Sequence, residues 1–111
     1  MNLLRAHVRS EDGWWEIKLL DLDVVADGPT EAEMLEQVEH ALIAEYHLAL
    51  KRGKTPFLNI LLAVPTEVRR AWDDGDKSLR VLNLPDDVRQ ALSAAFRTPT
   101  IDDFAIEKEV A

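Results

Sequence analysis

The fold is decided by the stretch LRAHVRSEDGWWEIKL, which occupies residues 4–19. Apolar residues alternate with polar ones on both sides of a turn, at Leu4, Ala6, Val8, Trp15, Ile17 and Leu19. A period of two is typical of a β-strand with one buried face. Because Gly13 in the intervening turn tolerates positive φ, the stretch predicts a β-hairpin. A third strand is predicted at residues 24–26, before the break at Asp27-Gly28-Pro29.

A long amphipathic helix is predicted next. Thr30 and Glu33 have the spacing of a capping box, in which each side chain binds an unpaired amide of the first turn. Gly53 follows two basic residues, which is typical of a helix end. The predicted helix spans about residues 31–52 and is long enough to cross the hairpin. Its apolar stripe consists of Leu35, Val38, Leu42, Tyr46 and Ala49.

The second half of the chain contains two similar segments, residues 62–71 and 82–91. Each is predicted as a strand, a proline in the first helical turn and a short helix; the similarity is either a weak repeat or chance. Residues 98–111 are acidic and are expected to form a tail that docks on another surface, such as a second subunit. We therefore expect one α+β domain over residues 1–111, with an antiparallel sheet packed on one long helix. Its parts would be a ββ(β)α unit at 1–55, two strand–helix units at 56–97 and the tail.

The charge is strongly negative. Thirteen Lys and Arg residues oppose 21 Asp and Glu residues, for a formal net charge of −8. Residues 1–53 hold 11 of the acidic and 5 of the basic residues. A nucleic-acid binder needs a basic face to neutralise phosphates, so this balance opposes unaided nucleic-acid binding. The acidic surplus either maintains solubility or forms a surface for a basic partner.

Several other classes of protein are disfavoured. The absence of cysteine excludes disulfides and thiolate metal sites. No apolar run approaches the roughly 18 residues of a membrane span, and the first residues lack the layout of a signal peptide. We therefore expect a cytoplasmic protein without a membrane segment.

Catalytic, cofactor and metal patterns are not found. His40 and His47 are seven residues apart on the predicted helix, about 10 Å, which is too far to share one metal ion. The loop carboxylates Asp21, Asp23 and Asp27 lack the spacing of a calcium loop. Isolated glycines give no phosphate-binding loop, and the serines have no triad context. We therefore expect no enzyme activity, no cofactor and no metal.

Trp14 is the main candidate for contact with a partner. Adjacent strand residues point to opposite faces, so Trp14 lies on the outer face if Trp15 packs in the core. Its ring is then either an interface anchor or is covered by the second half of the chain. The candidate partner-binding residues are Trp14 and the turn carboxylates Glu11, Asp12, Asp21, Asp23 and Asp27.

Two motifs in the first half carry a resemblance to a known family. Residues 11–17 (EDGWWEI) look like an Asp/Gly-aromatic hairpin, and residues 27–32 (DGPTEA) are similar to a Gly-Asp-Thr-x-Glu-Ala helix start. Over residues 3–55 the chain thereby resembles the HicB-like antitoxins of bacterial type II toxin–antitoxin pairs. Two stretches depart from the family. Residues 20–24 replace its Pro-Asp-Leu-Pro-Gly loop, and residues 31–35 depart from its Glu-Ala-x-x-Asn stretch.

The resemblance implies a partial ribonuclease-H-like fold without catalytic carboxylates. It also implies a cognate small ribonuclease toxin as partner and often a C-terminal DNA-binding element. Residues 79–87 look like the start of a ribbon–helix–helix unit, but the predicted outward residues are Leu79, Val81 and Asn83, and only the last is suited to reading bases. A strand that is apolar on both faces is typical of a sheet interior. DNA binding is therefore possible but disfavoured.

These observations together predict a non-catalytic, HicB-like antitoxin-type protein. It would neutralise a small basic ribonuclease toxin through protein–protein contacts, and it would form a homo-oligomer such as a homodimer. The alternative is an adaptor outside the antitoxins, or an acidic DNA-mimicking inhibitor of a nucleic-acid enzyme.

Overall fold

A computed structural model describes residues 3–75, 77–96 and 103–110. Within these ranges the chain forms five strands, three α-helices and one 3₁₀ turn. The elements, in chain order, are β1 (Leu3–Glu11), β2 (Trp14–Leu19), β3 (Val25–Gly28), α1 (Glu31–Lys51), the 3₁₀ turn (Leu58–Ile60), α2 (Thr66–Asp74), β4 (Lys77–Val81), α3 (Asp86–Phe96) and β5 (Asp103–Val110).

The strands form one sheet in the order β3-β2-β1-β5-β4. All neighbours are antiparallel except β1 and β5, which are parallel. The predicted hairpin is β1–β2, closed by Asp12 (φ 52°) and Gly13 (φ 80°). Two consecutive residues with positive φ match the twist of the flanking strands, which explains the Asp-Gly sequence. The expected α+β fold, with an antiparallel hairpin sheet and one long helix, is confirmed.

Helix α1 packs on the inner face of the sheet. The Thr30 half of the predicted capping box is present, because the Thr30 Oγ1 accepts a hydrogen bond of 3.1 Å from the Glu33 amide. The fully buried stripe is Met34, Val38 and Leu42, and it packs together with inward residues of β1 and β2 and with Val88 and Leu92 of α3. Leu35 and Tyr46, which the sequence places in the same stripe, are partly buried at its margin. The main core therefore lies between this face of the sheet and two helices.

A second, smaller cluster covers part of the outer face. Trp72 of α2 is buried there with Leu20, and Val64 and Val68 pack beside them. The Trp72 indole N–H donates a 3.1 Å hydrogen bond to the carbonyl of Ala6 in β1. Helix α2 is thus anchored to the sheet by one buried aromatic side chain whose polar atom is satisfied.

The second half of the chain differs from the sequence expectation in three places. Residues 62–64 form no strand. Residues 21–23 and 60–62 meet instead in a single bridge, Leu22 with Leu61. Strand β4 ends at Val81 and lies at the edge of the sheet rather than in its interior, although Leu82 and Leu84 beyond it are buried as expected.

The third difference concerns residues 98–111, which were expected to be an acidic tail. Part of this segment, β5, pairs with β1 on one side and β4 on the other, with Leu3 opposite Asp103 and Ser10 opposite Val110. The acidic composition of this segment did not indicate a strand. The strand depends on pairing with β1 and β4, which are distant in the sequence. The remainder of the predicted tail lies outside the described residues.

Candidate functional site

Trp14 opens β2 and lies on the outer face of the sheet. The alternation along the strand is regular, with Ile17 and Leu19 buried and Glu16 and Lys18 exposed. Trp15 packs against the core, whereas Trp14 is 47% exposed. Within the described residues, the second half of the chain therefore leaves about half of the Trp14 side chain exposed, and of the two alternatives left by the sequence the structure has the outward one.

One side of Trp14 borders a shallow groove of about 320 Å³ at the hairpin turn. The groove is lined by Arg9, Glu11, Asp12, Trp14 and Glu16. The pairing register explains this grouping, because Trp14 lies opposite Glu11 and Glu16 lies opposite Arg9. Arg9 Nη2 contacts Glu11 Oε2 at 2.7 Å, and both side chains are exposed.

The other side of Trp14 borders a second groove, of about 420 Å³, between β3 and α1. Its lining consists of Trp14, Asp27, Gly28, Pro29, Glu33, Glu36 and Gln37. Gly28 permits this arrangement, since a Cβ atom placed there would lie 2.9 Å from the backbone nitrogen of Met34. The absence of a side chain at Gly28 lets the end of β3 touch the first turn of α1, which brings the helix carboxylates toward Trp14.

We call this surface the Trp14 patch. It comprises the exposed residues Trp14, Arg9, Glu11, Asp12, Glu16, Asp27, Glu33 and Glu36. Six carboxylates and one guanidinium surround one indole ring, a net charge of −5. The carboxylates come from two strands, a turn and a helix, so that an apolar contact sits within a strongly negative field.

Asp21 and Asp23 do not belong to this patch. They follow the opposite end of β2, at least about 17 Å along the strand from Trp14. Arg5 donates from Nε to Asp21 Oδ2 at 3.1 Å and from Nη2 to Asp21 Oδ1 at 2.5 Å, and both side chains are mostly buried. The hydrogen bond to Asp21 raises the pKa of Arg5 above its usual value. The Asp23 side chain is exposed, and its backbone amide donates to the Ile60 carbonyl at 2.7 Å.

The structure therefore brings together four of the six predicted residues, namely Trp14, Glu11, Asp12 and Asp27. Sequence reasoning missed Glu16, Glu33 and Glu36. Glu16 could have been found, since it lies two residues after Trp14 on the same strand face. The helix carboxylates could not, because their proximity depends on the tertiary contact at Gly28.

The chemistry available at the patch is recognition of cationic groups. Among the described residues, no three or more His, Asp or Glu side chains are placed to hold a metal ion. The helices of the same residues include none that is long and apolar enough to cross a membrane. Searches against protein-family models, curated proteins and solved structures gave no match to this chain. The resemblance to HicB-like antitoxins therefore rests on the two sequence motifs alone.

Proposed function

We propose that this protein is a non-catalytic, HicB-like antitoxin-type protein that neutralises a small basic ribonuclease toxin by direct contact. The observation that carries the proposal is the Trp14 patch, in which a half-exposed indole lies among six exposed carboxylates. The resemblance adds a partial ribonuclease-H-like fold without catalytic carboxylates. We also propose that it acts in the cytoplasm as a homo-oligomer.

The physical argument begins from what a ribonuclease toxin must display. An enzyme that binds RNA presents cationic groups where the phosphates lie. An inhibitor gains both association rate and specificity by offering carboxylates at those positions. Surface charge alone contributes little affinity in water, so a tight complex also needs an apolar anchor. Trp14 supplies that anchor at the centre of the negative surface.

The proposal is tested by isothermal titration of the purified protein against the small basic protein encoded by the neighbouring reading frame. We expect a complex whose dissociation constant rises with salt. Trp14→Ala should weaken it by more than tenfold, which is about 1.4 kcal/mol. The matched control is Leu58→Ala, because Leu58 is 49% exposed but lies outside the patch. Equal loss in both variants, or no binding of a small ribonuclease by the wild-type protein, would overturn the proposal.

The alternative is an adaptor, or an acidic DNA-mimicking inhibitor of a nucleic-acid enzyme. It is favoured by the negative charge of the Trp14 patch, where one guanidinium offsets only one of six exposed carboxylates. A DNA mimic depends on charge more than on an aromatic anchor. Replacing Glu11, Asp12 and Asp27 by their amides would then abolish inhibition, while Trp14→Ala would leave it within about twofold. A cognate toxin should respond most strongly to Trp14→Ala.

A further inference from the structure

The sheet has two edge strands, β3 and β4, and they differ in how they are protected. Strand β3 has four residues, carries the exposed carboxylate of Asp27, and is followed by Pro29. Short length, a charge and a proline are common means of preventing an edge strand from pairing with another molecule. Strand β4 has five residues, of which Leu79 is 50% and Val81 is 67% exposed.

Strand β4 has two charged residues, Lys77 at its start and Arg80 in its fourth position, and Arg80 does not protect the outer face. Arg80 Nε donates to Glu31 Oε1 of α1 at 2.7 Å, and Arg80 Nη1 donates to the Leu79 carbonyl at 2.9 Å. The guanidinium is therefore held by α1 on the helix side of the sheet. Because a carbonyl can accept two hydrogen bonds, the contact with Leu79 does not by itself prevent a further strand from pairing with β4. Within the described residues, no strand pairs with the outer edge of β4.

We propose that β4 pairs antiparallel with β4 of a second copy of this chain, about a two-fold axis at Leu79. The sheets of the two copies then continue into one another. The sequence of β4 is self-complementary in this register. Leu79 lies opposite Leu79, Ser78 lies opposite Arg80, and Lys77 lies opposite Val81. No residue meets one of its own charge, and the two exposed leucines cover each other.

Other two-fold registers are worse. An axis at Arg80 would place two guanidinium groups opposite each other, which is destabilising. An axis at Ser78 would leave Val81 outside the strand of the second copy. An axis at Leu79 pairs all five residues of each strand. A new ladder also gives partners to the backbone groups along the free edge of β4, as in other cases of strand addition.

This arrangement has a consequence for the Trp14 patch. In the sheet order, β2 is three strands from β4, so seven strand spacings of about 4.8 Å would separate the two copies of β2, roughly 34 Å. Both patches stay uncovered. The dimer would therefore present two equivalent binding surfaces, although the β4 pairing does not depend on what those surfaces bind.

A cysteine cross-link tests the two-fold axis directly, because the chain contains no cysteine. Facing residues of antiparallel strands have Cβ atoms about 4.5–5.5 Å apart, close to the separation in a disulfide. We expect oxidised Leu79→Cys to run mainly as a dimer on a non-reducing gel. Val25→Cys is the control, since Val25 is 65% exposed on the other edge strand. Equal cross-linking of the two variants would contradict the proposal.

Charge reversal provides a second test by sedimentation. Leu79→Lys and Leu79→Glu should each raise the dimer dissociation constant at least about tenfold, because the same residue meets itself across the axis. An equal mixture of the two should dimerise again, whereas Val25→Lys should behave as the wild type. A monomeric wild-type protein, or a mixture that remains monomeric, would overturn the inference. The thermal midpoint of each variant separates loss of pairing from loss of folding.

Discussion

Trp14 and Trp72 lie against the same face of the sheet, near opposite ends of β2, and their surroundings are opposite in character. Near Trp72, α2 covers the sheet, the indole N–H is bonded to the Ala6 carbonyl, and the nearby carboxylate of Asp21 is paired with Arg5. The Arg5 guanidinium lies 6.0 Å from the centroid of the Trp72 ring. Around Trp14, the ring is half-exposed and six carboxylates share one guanidinium.

Residue type alone therefore does not assign a role. Each end combines a tryptophan, an arginine and carboxylates, yet at one end the charges are paired and mostly buried, and at the other they are exposed and in excess. Buried, paired groups contribute to folding, whereas exposed and uncompensated groups are free to contact another molecule. The contacts around Trp72 therefore stabilise the fold, and the surface around Trp14 is the candidate interface.

The largest expected effect is at Trp72. Trp72→Ala should lower the free energy of unfolding by about 3–5 kcal/mol, because it removes a buried aromatic side chain and leaves the Ala6 carbonyl without this donor. Chemical denaturation measures the change. A loss below about 1 kcal/mol would mean that α2 is not anchored to the sheet by this residue.

A smaller loss is expected at the ion pair beside it. Asp21→Asn should destabilise the fold by about 1–3 kcal/mol, since the two side-chain hydrogen bonds from Arg5 are to a charged acceptor that is mostly buried. Asp23→Asn is the matched control, because Asp23 is an exposed carboxylate of the same loop. Equal unfolding midpoints for the two variants would contradict the distinction between these aspartates.

Gly28→Ala tests the close contact between β3 and α1 beside Trp14. Its methyl group would meet the Met34 amide at 2.9 Å, so β3 and α1 must separate slightly. We expect a loss of about 1–2 kcal/mol from this overpacking. Gly13 is not a suitable control because its φ is positive. Ala26→Gly, which removes a methyl group from the same strand, gives a comparison without a clash. If Gly28→Ala leaves the free energy of unfolding unchanged, β3 and α1 are not closely packed at this position.

The smallest effect on stability is expected at Trp14 itself. Trp14→Ala should change the free energy of unfolding by less than about 0.5 kcal/mol, as is usual for a surface position. Trp15→Ala is the internal comparison and should cost about 3–5 kcal/mol, because that ring packs against the core. If Trp14→Ala destabilises the protein as much as Trp72→Ala does, the contrast between the two ends is wrong.

The parts of the fold that the sequence predicts are those with local signals. The hairpin turn at Asp12-Gly13, the strand alternation around Trp14, and the Thr30 cap of α1 are each encoded within a few residues. The missed features depend on distant parts of the chain. Strand β5 has acidic residues that look like a tail until β1 and β4 are placed beside it.

The candidate site follows the same division. The outward direction of Trp14 and the nearby turn carboxylates could be predicted from the hairpin alone. The pairing of Asp21 with Arg5 could not, because the two residues are sixteen positions apart and neither lies in a recognisable motif. Glu33 and Glu36 line the same groove as Trp14, and this depends on the close approach of β3 and α1 at Gly28.

The parallel pairing of β1 with β5 also determines when the sheet can be completed during synthesis of the chain. Because Leu3 pairs with Asp103, one edge of β1 stays unpaired until a hundred further residues have been synthesised. At about 5–20 residues per second, a ribosome needs roughly 5–20 seconds to supply them. During that interval one edge of β1 is unpaired, and β4, once residue 81 has been made, also has an edge that β5 will later occupy. Nascent chains on neighbouring ribosomes can pair through those edges, so crowded translation and slow elongation are the conditions under which this sheet is most exposed to misassembly.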